Sequence, residues 1–165
     1  MLRAVRGTAG VVGLSRSIAE RLQARAEMRL RELRVPVTVE VVEGEGPAPG
    51  AHLFLLAEAE GSRAGFAALG ERGKPAEQVA DEACAALGDY LEAEGALDPH
   101  LADQILPALA LAEGESAFTT TVLSSHLLTN AWAIRQFLPE VAITIEGAAG
   151  GPGGVRVRGI GFGRA

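Results

Sequence analysis

The residues best placed to do chemistry lie in Ser124-Ser125-His126-Leu127-Leu128-Thr129-Asn130-Ala131-Trp132. Two serines and a threonine-rich run precede apolar residues at helical spacing (Leu127, Leu128, Ala131, Trp132, Ile134, Phe137, Leu138), which predicts a helix over 125–138 with His126 in its first turn. The partial positive charge of a helix N-terminus disfavours imidazolium, so the ring is expected in its neutral, nucleophilic form. The unpaired N–H groups of the same turn can hold a phosphate beside it. A histidine at a helix start also serves as a cap or a packed polar group, and local sequence leaves both readings open.

Other candidates carry less. Cys84, the single cysteine, lies in an Ala-rich helical stretch and reads as a small buried apolar residue, with no disulfide framework or zinc set around it. His52 has no carboxylate or thiol neighbours in sequence and is expected to be exposed or half-packed. The glycine-rich run from Gly147 to Gly154 leads into a strand-like segment, whereas a phosphate-cradling loop leads into a helix. A flexible hairpin connection without chemistry is expected there.

These residues need elements to hold them. At 165 residues and 48% hydrophobic content the chain can bury one modest core or two small ones, which excludes a disordered protein. Strand-like Leu2–Arg6 precedes a loop over 7–14, then a helix capped by Ser15 or Ser17 with Ile18, Leu22, Ala26, Leu30 and Leu33 at its apolar positions. Strands are predicted over 35–42, 52–58 and 64–69, the last two joined by a turn at 60–63. Pro75 opens a helix that buries Val79, Ala83, Ala86, Leu87, Tyr90 and Leu91 and ends near Gly95. A second unit follows: a helix from Asp98-Pro99 to Ala112, a strand over 116–122, the histidine helix, and strands over 141–146 and 155–160. The expected class is α+β, in two units, 1–95 and 96–165.

No apolar run reaches membrane-spanning length, and Arg3 and Arg6 are not followed by a signal-peptide core, so a soluble cytoplasmic protein without membrane contact is expected. The net charge of −6 argues against wholesale nucleic-acid binding. Residues 1–34 nevertheless hold eight arginines against three glutamates. A basic face for RNA and an amphipathic helix with a solvated arginine side give the same counts.

The block from Leu69 to Leu138 carries LGERGKPAEQVADEA at 69–83, HLADQILPALALA at 100–112 and SHLLTN at 125–130. In order and approximate spacing these motifs resemble the C-terminal region of the RNA 3′-terminal phosphate cyclases. Arg6-Gly7 and Ile18-Ala19-Glu20-Arg21 are weaker points of likeness. Cyclases of that family have a large domain of three βαβαββ-type repeats, similar in fold to the C-terminal domain of bacterial translation initiation factor three, with a smaller domain inserted between the second and third. On that template residues 1–95 resemble the inserted domain, β-α-β-β-β-α. Residues 96–165 resemble the third repeat, one βαββ unit with an additional leading helix.

The resemblance implies an ATP-dependent enzyme of the ligase class that converts an RNA 3′-phosphate to a 2′,3′-cyclic phosphate through a histidine–AMP intermediate. It makes His126 the nucleophile, places Asp103 and Gln104 along the nucleotide, and puts His100 where relatives often carry an aromatic residue against adenine. Asn130 would help fix the helix or the nucleotide. His100, Asp103 and Gln104 share one helix face, with Leu101, Ile105, Leu109 and Ala112 expected buried behind it. The implied cofactors are ATP and a divalent metal, Mg or Mn, whose protein ligand is expected outside this chain, because Met1 falls near the family's midpoint. The metal-binding glutamate and the RNA-phosphate residues of relatives belong to the first two repeats. Expected partners are an RNA 3′-phosphate end and either a companion polypeptide with the missing repeats or a second copy, packed on apolar surface of residues 96–165. The alternative is a non-catalytic truncated relative, an RNA- or protein-binding module acting through the arginine-rich helix at 16–34. His126 and the HLADQ motif favour the enzyme, and the missing metal and RNA-phosphate residues favour the module.

Overall fold

The computed structural model describes residues 1–163, and residues 164 and 165 of the expected second unit lie outside them. The fold is mixed α and β, with two sheets and four helices, and divides into two compact units at Leu91/Glu92.

The first unit runs β1 (Leu2–Val12), α1 (Arg16–Leu30), β2 (Val37–Gly44), β3 (Gly50–Ala59), β4 (Ser62–Leu69) and α2 (Ala76–Glu92). Its sheet has the order β2-β1-β3-β4, with β1 parallel to β2 and antiparallel to β3. The parallel pair requires a crossover, and α1 supplies it. Alternation along the strands sends Val5, Ala9, Val11, Leu53, Leu55, Ala64 and Phe66 to one face, where they meet Leu22 and Ala26 of α1 and Val79, Ala83 and Leu87 of α2. With few aromatic residues, the core is an Ala/Leu/Val packing closed at one side by Phe66 and Tyr90, whose ring centroids are 5.3 Å apart.

Three expectations change here. β1 runs to Val12, where residues 7–14 read as a loop, because its glycines serve close approach rather than turning. A Cβ on Gly10 would lie 2.2 Å from the ring of His52, its cross-strand partner, and one on Gly7 would lie 2.8 Å from the Phe54 carbonyl oxygen. The β3–β4 turn is only Glu60-Gly61, with Gly61 at φ +81°, so Ser62 and Arg63 belong to β4. α2 ends at Glu92, short of Gly95, and Ala86 is exposed. Its buried row is Ala76, Val79, Ala80, Ala83, Cys84 and Leu87. Burial pushes the Cys84 thiol up to about 11, as suits an inert core residue.

The second unit runs α3 (Pro99–Leu111), β5 (Glu113–Thr120), α4 (Ser125–Phe137), β6 (Ala142–Gly147) and β7 (Gly153–Ile160). Its antiparallel sheet has the order β5-β7-β6. Leu106 and Ala110 of α3, Leu127 and Ala131 of α4, and Val155 and Val157 of β7 form its core. β5 occupies 113–120 rather than 116–122: Thr120 and Thr121 are buried, and the Thr120 hydroxyl bonds the Val122 carbonyl at 3.2 Å as the chain turns toward α4.

A three-stranded sheet covers a narrower stripe of each helix than the apolar pattern offers. On α3 the buried row is Ala102, Leu106 and Ala110, while Leu101 is exposed and Ile105, Leu109 and Ala112 are only partly covered. On α4, Trp132 and Phe137 of the apolar pattern are 62% and 84% exposed.

Candidate active site

His126 is the second residue of α4, and the helix start is built around it. Ser124 is the N-cap, and its hydroxyl accepts the Leu127 N–H at 3.1 Å. Leu123, just before the cap, is 1% exposed and holds this corner to the Gly147–Gly154 connection. Its N–H donates to the Gly151 carbonyl at 2.7 Å, and its carbonyl accepts the Gly150 N–H at 3.0 Å. A Cβ on Gly153 would lie 2.5 Å from the Leu123 side chain. The glycine-rich run is the expected hairpin connection, between β6 and β7, and it also fixes the N-terminus of the histidine helix. Its length, well beyond a two-residue hairpin, was the available signal.

The His126 side chain is exposed and has no hydrogen-bond or ion-pair partner among the described residues. An exposed imidazole beside the free N–H groups of a helix start can act as a nucleophile toward a bound phosphate ester.

Asn130 lies on α4 with His126, and α3 carries His100, Asp103 and Gln104. Asp98 caps it, its Oδ1 accepting the N–H groups of His100 and Leu101 at 2.9 and 3.0 Å, and Pro99 occupies the first helical position. His100 and Gln104 are exposed and Asp103 is half-buried. α3 packs on α4, and the structure joins Asn130 to Asp103: Asn130 Nδ2 donates to the Asp103 backbone carbonyl at 3.2 Å. The side chains of His100, Asp103 and Gln104 make no hydrogen bond to His126 among the described residues. The described residues contain no group of three or more His, Cys, Asp or Glu side chains able to hold a metal.

The arginines of α1 stay on a solvated side and pair there with carboxylates. Arg21 forks onto Glu77 at 2.8 and 2.6 Å, Arg25 onto Asp81 at 2.9 and 2.8 Å, and Arg29 reaches Asp81 at 3.4 Å. Arg16 bonds Glu20 and Glu43. The hydrogen bonds from Arg21 hold the Glu77 carboxyl down to about 2, and those from Arg25 lower Asp81. The positive side of α1 is largely matched by the acidic side of α2.

The 69–83 motif wraps a cleft of about 520 Å³ in this unit, where Gly70–Lys74 and Val79 face Leu14, Ile18 and Pro49. None of the expected site residues lines it. No helix among the described residues is long and apolar enough to cross a membrane.

Comparison with known proteins adds to this geometry. A family model described as the insert domain of RNA 3′-terminal phosphate cyclase matches residues 1–92. A Methanopyrus kandleri protein named RNA 3′-terminal phosphate cyclase is 44% identical over 164 residues, which covers 95% of this chain and 46% of that protein. One of the same name from Methylococcus capsulatus is 42% identical over 159 residues, covering 96% of this chain and 44% of the relative. A third, from Nostoc punctiforme, is 43% identical over 136 residues, 82% of this chain and 39% of the relative. The chain spans less than half the length of these relatives. With a family model over more than half of its residues and named relatives aligned along nearly all of it, the chain belongs to the RNA 3′-terminal phosphate cyclase family.

Proposed function

We propose that this chain corresponds to the C-terminal half of an ATP-dependent RNA 3′-terminal phosphate cyclase and carries its nucleotide-transfer step on His126. The observation that carries the reading is an exposed, unpartnered imidazole at the start of a helix whose first turn is rigidly capped. An imidazole nitrogen attacks the α-phosphorus of ATP, a P–N bond forms, and the bond to diphosphate breaks. An oxygen of the RNA 3′-phosphate then displaces the histidine and takes AMP. The neighbouring 2′-oxygen finally attacks the adenylated phosphorus, and AMP leaves with the electron pair of the broken P–O bond. The logic is activation: a phosphate monoester has no good leaving group, and its adenylate has one.

In this reading the free N–H groups at the start of α4 hold the α-phosphate, Gln104 donates to a ribose or phosphate oxygen, Asp103 orients the nucleotide or the histidine, and His100 lies against adenine. A divalent Mg or Mn ion would neutralise the leaving diphosphate. By the resemblance, the protein ligand of that ion lies outside residues 1–165. A companion carrying the other repeats, or a second copy, would complete the site for the RNA 3′-phosphate end and cover apolar side chains left exposed on the second unit, such as Trp132 or Phe137. The cytoplasm, where ATP and RNA meet, is the expected compartment. The alternative is a non-catalytic RNA- or protein-binding module working through α1; against its RNA form, Arg16, Arg21, Arg25 and Arg29 already pair with carboxylates.

Intact mass of the protein after incubation with ATP and Mg²⁺ or Mn²⁺ tests the reading. Wild type should gain one AMP and His126→Ala none, with unchanged melting. An equal gain in both proteins would remove His126 from the reaction.

A further inference from the structure

Pro107 and Asn130 form a matched pair across α3 and α4. Residue 107 would donate its N–H to the carbonyl four residues back, that of Asp103, but proline has no N–H, and its ring pushes that carbonyl away from the helix axis. The acceptor left open is the one that receives the Asn130 amide, at 3.2 Å. Asn130 is half-buried and stands four residues after His126, so it lies on the same face of α4, one turn further along. The start of α4 is held by the bonds between Leu123 and Gly150-Gly151, and Asn130 adds a hold at its middle.

We propose that Asn130 is a positioning residue: its amide fills the acceptor that Pro107 leaves open on Asp103 and so fixes the register of the His126 helix against the helix bearing Asp103 and Gln104. Its effect on nucleotide transfer rests on the cyclase reading above, whereas its effect on helix register does not. The Asn130 amide works between the helices rather than on the nucleotide. Its removal therefore slows transfer without weakening ATP binding, since a small misplacement of a nucleophile is costly in rate.

A double-mutant cycle of Asn130→Ala and Pro107→Ala tests this, with Asn130→Asp, which keeps the shape and lacks the donor, as a control. With Pro107 present, Asn130→Ala and Asn130→Asp should each lower Tm by about 4 °C. In the Pro107→Ala background, where the restored N–H satisfies the Asp103 carbonyl, the loss from Asn130→Ala should shrink to less than about 1 °C. Amide hydrogen exchange in the middle of α4 should rise about tenfold in both proteins carrying Asn130→Ala, because restoring the carbonyl bond does not restore the tether. The rate of AMP uptake at saturating ATP should fall about tenfold in both, at an unchanged half-saturating ATP concentration.

Equal Tm losses with and without Pro107 would overturn the pairing. Recovery of α4 protection in the double variant would overturn the tether. A raised half-saturating ATP concentration with an unchanged maximal rate would make Asn130 a nucleotide ligand instead. If wild type alone takes up no AMP, the Tm and exchange results decide the register claim by themselves.

Discussion

Gly10 shows how a single residue misleads a sequence reading and what its substitution would do. Its Cβ position is occupied by the His52 ring, so Gly10→Val must expel that ring from the face of β1. Overpacking of this kind costs about 1–3 kcal/mol, seen as a lower Tm, and His52→Ala in the same protein should recover part of it by emptying the space. An unchanged Tm in Gly10→Val would show that the His52 ring swings aside without cost. Glycine in an otherwise alternating run signals either a turn or a close approach, and only the partner strand, far along the chain at His52, decides between them. The same ambiguity hid the bonds from Gly150-Gly151 to Leu123. The place of His126 in a helix's first turn was legible because the serine cap and the apolar spacing that start the helix lie close to it in sequence.

At the scale of elements, the helices were legible at their starts, where Ser15, Asp98 and Ser124 cap as their types require, and less so in the facing of their sides. The apolar stripes of α3 and α4 are wider than their three-stranded sheet, so periodicity alone puts Leu101 inside where the structure leaves it exposed. The arginines of α1 were countable, but the carboxylates that Arg21 and Arg25 fork onto sit 56 residues on, in α2. Those pairs give the first unit a defined acid response. The Glu77 carboxyl titrates near 4.5 when unfolded and is held to about 2 when folded, so its contribution is present above pH 4.5 and is lost as pH falls toward 2. Asp81 shifts in the same direction. Glu77→Gln should therefore flatten the fall of Tm between pH 4.5 and 2, modestly because the pair is exposed, and added salt, about 1 M, should shrink the difference between the two proteins. A steeper acid loss in Glu77→Gln would contradict this sign.

At the scale of the molecule, the order of elements and the presence of two cores could be read from the alternation of strand and helix patterns. What covers the helices of the second unit could not, because burial depends on partners as well as on pattern. Trp132 and Phe137 are exposed on a chain spanning less than half the length of its named relatives. The proposed companion or second copy should bind there: Trp132→Ser with Phe137→Ser should weaken association about tenfold or more in sedimentation while leaving the helical circular dichroism intact. Association unchanged by the double substitution would place the contact elsewhere.

Peptide mapping of the protein after reaction with ATP labelled at the α-phosphate tests the central claim most directly. The expected result is one AMP bonded through nitrogen to the peptide containing His126, lost in acid as a P–N bond is, and absent when the label is on the γ-phosphate. AMP recovered on a lysine or on another histidine, with His126 unmodified, would contradict it.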